Sequence, residues 1–257
     1  MDLKAEEKVV TLMARMQWLP VAVLAGAVLL FANDKKDKPK PAGAQHVDSG
    51  SFGVFIRGQR VVTETFDVQQ ENGISDVKSR LQETGGSAHE QHSELQMTSQ
   101  GELVRYEWGD GTGSLVVTPK NEFLIEKVTS SLGGKAAEQP FLMPNTSAIL
   151  DNNFFILREV LAWRYLATNC QTQDGALKCQ QGAVDFGVLI PQDRTSARVR
   201  MELVGKEKVI IRGTERELLR LNLKGETFSW ALWVDEKDQF KLMRVLVTDD
   251  NTEVVRD

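Results

Sequence analysis

Histidine, cysteine and tyrosine are scarce in this 257-residue chain, with three, two and two copies. His46 stands in a charged, proline-bearing stretch, and His89 and His92 lie three apart in GGSAHEQHSE. A Ser-His-Asp triad therefore has little to be built from. The metalloprotease motif needs two histidines four apart on a helix, so this pair reads as an exposed polar loop. Two cysteines cannot supply the roughly four nitrogen or sulfur ligands of a structural zinc site. There is no G-x-S-x-G nucleophile elbow, and no period of roughly 20–50 residues repeats, which excludes a solenoid. These absences point to a non-enzymatic protein with no cofactor and no metal site.

A basic surface is also missing. The formal charge is −5, and the first 40 residues hold seven Lys and Arg against five Asp and Glu, leaving 24 basic against 31 acidic residues beyond them. Phosphate neutralisation needs a basic stripe, and the densest candidate, Arg194, Arg198 and Arg200, is short and set among acids, so nucleic acid is not an expected partner.

What is present begins with residues 16–32, MQWLPVAVLAGAVLLFA, which carry no charge, follow Arg15 and end abruptly at NDKKDKPKPAGAQ. As a helix they rise about 25 Å against a hydrocarbon core of about 30 Å, between a long signal peptide and a minimal membrane span. Leu30, two positions before Ala32, departs from the small-residue cleavage pattern and favours retention. The lysines at 35, 36, 38 and 40 oppose export of the carboxyl side, and a start at Met13 or Met16 would make a plainer signal peptide. Residues 1–32 are thus a signal peptide or signal anchor, residues 33–50 a flexible linker containing Pro39, Pro41, Gly43 and Gly50, and residues 51–257 the folded domain. The location expected is the periplasm or cell envelope, and if the leader is uncleaved the membrane is a partner through it, with anchoring at the inner membrane.

From Phe52 onward the apolar pattern has mostly period two. SFGVFIRGQRVVTETFDVQQ reads as a hairpin about Gly58 with Val62, Glu64, Phe66 and Val68 on one face, and roughly a dozen such short runs follow, separated by Gly, Asn or Asp. In ARVRMEL, Ala197, Val199, Met201 and Leu203 alternate with Arg198, Arg200 and Glu202, leaving one face wet. The exception is 150–169, LDNNFFILREVLAWRYLATN, a helix with Asp151 or Asn152 as N-cap. Ile156, Val160, Trp163 and Ala167 form one stripe and Phe154, Leu157, Leu161 and Tyr165 another. A helix apolar on so many sides must be wrapped, and a curved sheet does this with the option of leaving a groove.

The cysteines bracket CQTQDGALKC. If Asp174-Gly175 is a two-residue turn, Cys170 and Cys179 face each other at a distance a disulfide spans. Two unpaired buried thiols are the main alternative, with metal and redox roles behind it. WGDGTGSL, residues 108–115, resembles a phosphate cradle, but a strand follows it where a helix is needed, so it is a hairpin turn. The acidic runs at 234–239 and 248–253 have turn composition. TFSWALWV places Phe228, Trp230, Leu232 and Val234 on one face and Trp233 on the other. Core packing is one reading of these aromatics, and the other is an apolar lining against the helix.

The segments GVFIRGQRVVTETFDV, AILDNNFFILREVLAWRY with FGVLIPQ, and VDEKDQFKLMRVLVTDDNTEVVRD resemble an uncharacterised group of bacterial cell-envelope proteins. Their sheets are similar to the half-barrel of the periplasmic lipoprotein carriers (LolA-like). The resemblance spans about residues 50–257 and carries no catalytic residues. The acidic, lysine-flanked leader departs from that group's plainer signal peptide. The fold expected is mainly β: a curved antiparallel half-barrel wrapped on one helix, preceded by an N-terminal hydrophobic helix. By analogy the concave face holds a lipid or lipoprotein acyl chain, lined by Phe154, Phe155, Leu157, Leu161, Trp163, Phe228 and Trp230. The alternative expectation is a membrane-tethered interaction module with a self-filled core and an unknown protein partner.

Overall fold

The computed structural model describes residues 44–85, 90–130, 136–174 and 176–257. The apolar leader, His89 and Gly175 lie outside them. The described residues form a 15-stranded sheet, a two-stranded ribbon and one helix.

The chain runs as two antiparallel meanders. The first comprises β1 (Gln45–Ile56), β2 (Gln59–Glu71), β3 (Ile74–Glu83), β4 (Gln91–Thr98), β5 (Leu103–Gly109), β6 (Gly113–Lys120), β7 (Phe123–Ser130) and β8 (Ala137–Leu142). The short β9 (Ala148–Ile149) and helix α1 (Ile156–Asn169) follow, then the ribbon β10 (Cys170–Gln173) and β11 (Ala176–Cys179). The second meander is β12 (Val184–Ile190), β13 (Thr195–Ile211), β14 (Thr214–Lys224), β15 (Ser229–Asp235), β16 (Lys241–Val247) and β17 (Thr252–Arg256). Pairing of β17 with β1 fuses the two meanders, and β9 joins β12 in parallel, so the sheet is curved and open with edges at β8 and β9.

Local chemistry explains most of these elements. Between β2 and β3, Asn72 (φ 51°) and Gly73 (φ 79°) occupy the left-handed region that a tight hairpin requires, and Arg57 with Gly58 does the same between β1 and β2. In WGDGTG, Asp110 Oδ1 accepts the amides of Thr112 (2.8 Å) and Gly113 (2.9 Å), which fixes the predicted hairpin turn. Bulges at His46/Asp48, Val54/Phe55, Gln96/Met97, Leu203/Gly205 and Trp233/Val234 bend the sheet so that its inner face follows α1.

The bulge in β13 also flips side-chain parity. Val199 and Met201 point into the main core, but beyond Gly205 it is Val209 and Ile211 that pack on the outer face with Leu218, Ala231, Trp233 and Met243. A second, smaller apolar cluster forms there. It is covered by Arg220 and Arg244 stacked on Trp233, whose indole N–H donates to Glu207 at 3.0 Å.

Three expectations are corrected. The domain does not begin at 51: β1 starts at Gln45, and residues 45–50, assigned to the linker, pair with β2. Asp48 is buried there on Arg256, and Gly50 serves close packing, since a Cβ would lie 3.3 Å from the Arg256 guanidinium. The helix begins at Ile156 rather than 150, and neither Asp151 nor Asn152 is its N-cap. There are seventeen strands among the described residues where about a dozen were expected, because β3, β8, β9, β10, β11 and β17 are short or polar and carry little of the apolar alternation that marks the others.

The cysteines are settled in favour of the staple. Cys170 and Cys179 face each other in the ribbon and form a disulfide, with Asp174 at φ 53° as the turn requires. Replacing both by serine is expected to cost about 2–3 kcal/mol, the loop-closure value for so short a ring. The check is guanidinium unfolding with and without reductant: reductant should destabilise the parent and leave the double variant unchanged.

Candidate functional site

The site is built around α1, which uses three different devices to hold its buried side. At its N-terminus Phe155 is the N-cap residue and makes no side-chain cap. The Glu64 carboxylate of β2 replaces it, accepting the amides of Phe155 (2.6 Å) and Ile156 (3.1 Å) and the hydroxyl of Ser79 (2.7 Å). Two orphan donors of the first turn are thus satisfied from 91 residues away in sequence. Burial raises the Glu64 pKa to about 7, outweighing the hydrogen bonds and the nearby Arg158 charge that lower it.

The second device is Arg158, fully buried one turn into the helix. It donates to the carbonyls of Phe154 and Asn152 and lies 4.9 Å from the Phe155 ring and 4.7 Å from Trp230. Burial lowers its pKa to about 10, against the charges of Asp151 and Glu64, so it remains a cation at neutral pH. Asp151 in turn accepts the Tyr106 hydroxyl, the Gln192 amide and the Asn153 N–H.

The third device joins three elements. Arg256 of β17 donates to both oxygens of Asp48 on β1 at 2.7 Å and to Glu159 on α1 at 3.1 Å. Burial, then a hydrogen bond shared with Asp48, pushes the Glu159 carboxyl well above its ordinary range. Its Oε1 is buried with no hydrogen-bond partner among the described residues. At the other end of the helix, the Tyr165 hydroxyl accepts the amides of Asn169 (3.1 Å) and Leu203 (3.0 Å).

The opposite flank of α1 is left uncovered. Val160, Trp163 and Arg164 are half-buried and Ala167 and Thr168 exposed. Between this flank and β3, β4, β5 and β9 runs a groove of about 300 Å³. Leu95, Leu103, Ile149, Leu157 and Leu161 form its floor, and Met97, Val160, Trp163 and Ala167 its walls. No Asp or Glu lines it, and Arg164 is its charged residue. The Trp163 indole N–H is engaged by the Phe240 carbonyl at 3.0 Å, so the ring presents carbon to the groove.

Of the seven residues expected to line an apolar site, the groove brings together Leu157, Leu161 and Trp163. Phe154 and Phe155 are buried in the core. Phe228 stacks on Trp230 at 4.5 Å, and Trp230 covers Arg158. Two of those four aromatics, Phe155 and Trp230, are spent enclosing a buried cation. The residues that sequence reasoning missed come from β4 and β5, Leu95, Met97 and Leu103, and from the helix, Val160 of the first stripe and Arg164, which belongs to neither.

A second concavity, about 610 Å³, lies on the outer face of β2–β4. Asp67, Lys78 and Glu94 stand side by side across its strands, with Arg80 beside His92, so charges of both signs neutralise one another. His92 packs over Gly109, where a Cβ would come within 2.7 Å of the ring. Among the described residues no group of three His, Cys, Asp or Glu side chains is placed to hold a metal.

No protein-family model matches the chain. No curated protein matches it. Among solved structures it is similar to a beta-barrel-like protein of a domain of unknown function, DUF1849, from Brucella abortus, at 4% identity and a TM-score of 0.42 over 81% of this chain and 94% of that one.

Proposed function

We propose that this is a non-enzymatic binding protein of the cell envelope that holds a lipid or lipoprotein acyl chain in the groove beside α1. The observation that carries the reading is the groove itself: an apolar trough of about 300 Å³, at the small end of ligand sites, with a buried leucine-rich floor and no carboxylate in its lining. Three neighbouring observations support it. The helix is held rigidly from its other side, so the trough is preformed. The Cys170–Cys179 disulfide suits an oxidising compartment, in keeping with a LolA-like carrier exported behind the apolar leader. Two of the aromatics expected in the lining, Phe155 and Trp230, are committed to Arg158 and do not line the groove.

The test is native mass spectrometry of the full chain followed by organic extraction. A co-purifying acyl lipid near one-to-one supports the reading. An empty mass, with no uptake of a fluorescent fatty-acid probe, sinks it. Ala167→Trp is expected to fill the trough from its exposed rim and weaken probe binding at least tenfold while leaving the unfolding midpoint nearly unchanged.

A second reading, a tethered interaction module, is favoured by one feature. β8 is an edge strand, and its Leu142, 73% exposed, lies opposite half-exposed Phe123 of β7. A partner strand added there would cover both, and one stoichiometric protein recovered without lipid would favour it.

A further inference from the structure

We propose that Arg164 is the headgroup site of the groove and that the occupant is a single-chain amphiphile ending in a carboxylate, a medium-length free fatty acid. This rests on the acyl-chain reading above. Elsewhere this fold gives a buried or half-buried guanidinium a carboxylate or closes it in: Arg256 has Asp48 and Glu159, Arg244 has Glu253 at 2.7 Å, and Arg158 is enclosed by two carbonyls and two rings. Arg164 has neither arrangement. It donates one hydrogen bond to the Thr146 carbonyl and stands 5.7 Å from the Phe186 ring, with no ion-pair partner among the described residues. Burial lowers its pKa, the mark of a cation held out of water without a compensating anion.

The remaining N–H groups of Arg164 form a planar fork at the rim, matched to a carboxylate that accepts two parallel hydrogen bonds. Its neighbours there, Gln100 and Thr168, are polar and neutral, whereas the floor toward Leu157 and Leu161 is buried hydrocarbon. An anionic head followed by an unbranched tail has that same order. At roughly 30 Å³ per non-hydrogen atom, the share of one water in the liquid, the volume accommodates on the order of ten atoms.

The experiment is calorimetric titration of the full chain, and of Arg164→Gln and Arg164→Lys, with decanoate, 1-decanol and decyl phosphate. Decanoate is expected to bind the parent at least tenfold more tightly than 1-decanol, with an affinity that falls as salt is raised. Arg164→Gln should abolish that preference and the salt dependence, and Arg164→Lys should keep part of both. If decanoate and 1-decanol bind alike and Arg164→Gln changes neither, the headgroup assignment is overturned while the groove stands. Decyl phosphate binding more tightly than decanoate overturns the carboxylate in favour of a phosphate head. If none of the three binds, the acyl-chain reading itself fails.

Discussion

Replacing Arg256 by methionine is expected to destabilise the domain by about 3–5 kcal/mol, the usual result of removing one partner from a buried ionic cluster. Arg256 is 7% exposed, Asp48 2% and Glu159 fully buried, so the substitution leaves carboxylates with no cation to offset their lost hydration. Lys241, 3.6 Å from Asp48 and partly exposed, replaces only a fraction of that charge. The cluster also stands where β1, β17 and α1 meet, so its loss loosens the pairing of the two meanders and the seat of the helix together. The carboxylates should not behave alike. Burial, and then the hydrogen bond with Asp48, raise the Glu159 pKa, so this carboxyl gives up its charge more readily than an ordinary glutamate. Glu159→Gln is therefore expected to cost less than about 1 kcal/mol and Asp48→Asn about 2–3 kcal/mol, because Arg256 holds both Asp48 oxygens at 2.7 Å and one Glu159 oxygen at 3.1 Å. The triple variant Arg256→Met, Asp48→Asn, Glu159→Gln should recover most of the loss, a strong coupling in a mutant cycle. Guanidinium unfolding measures all four. Equal costs for the two carboxylate variants would show that Arg256 depends on both alike.

The parts of this fold that could be read from the sequence are those dictated locally. Asn72-Gly73 and Arg57-Gly58 mark hairpins because the turn needs left-handed backbone, and the cysteine pairing follows from counting outward from Asp174-Gly175. The alternation of Val199, Arg200, Met201 and Glu202 shows one wet face because side-chain period in a strand is two. Once a bulge inserts a residue after Leu203, the same counting places Val209 and Ile211 on the wrong face, and nothing in GKEKVII announces the change.

The interior charges were less legible because their partners are far away in sequence. Glu64 was placed on the apolar face of β2, between Val62 and Phe66, and a carboxylate in that position signals a buried partner. That the partner is a helix N-terminus depends on tertiary packing. Ser49 and Gly50 have linker composition, and only the Arg256 guanidinium beside them explains why small residues are needed. The aromatic cluster misled for a related reason. Phe155 and Trp230 are as suited to facing a buried guanidinium as to lining a lipid groove, and Arg158 in the middle of an apolar helix was the residue that distinguished the two uses.

The remaining large effect concerns Glu64, where the sign with pH is itself diagnostic. Its pKa of about 7 in the folded state exceeds the ordinary 4.5, so the folded protein holds the proton more tightly than the unfolded chain. A raised acid contributes stability that is fully present below the unfolded value and is lost as pH rises through the folded one, here between about 4.5 and 7. At about 1.4 kcal/mol per pKa unit the loss is on the order of 3 kcal/mol. The protonated acid has a place for its hydrogen: Ser79 Oγ lies within reach of both Glu64 Oε1 and the Thr65 carbonyl at 3.2 Å, so it accepts from one and donates to the other. Glu64→Ala, at pH 5, strands the buried amides of Phe155 and Ile156 and is expected to cost about 3 kcal/mol. Glu64→Gln keeps one oxygen for the helix but turns an amide N–H toward the other donors, a cost of about 1–2 kcal/mol at pH 5. Because glutamine does not titrate, that cost should vanish and reverse by pH 8, since between pH 5 and pH 8 the parent loses about 2–3 kcal/mol that the variant never had. Unfolding free energies of parent and both variants at pH 5 and pH 8 decide the matter. A parent whose stability rises over that interval relative to Glu64→Gln would show that the amides and Arg158 outweigh burial, and that the helix is capped by a carboxylate rather than by an acid.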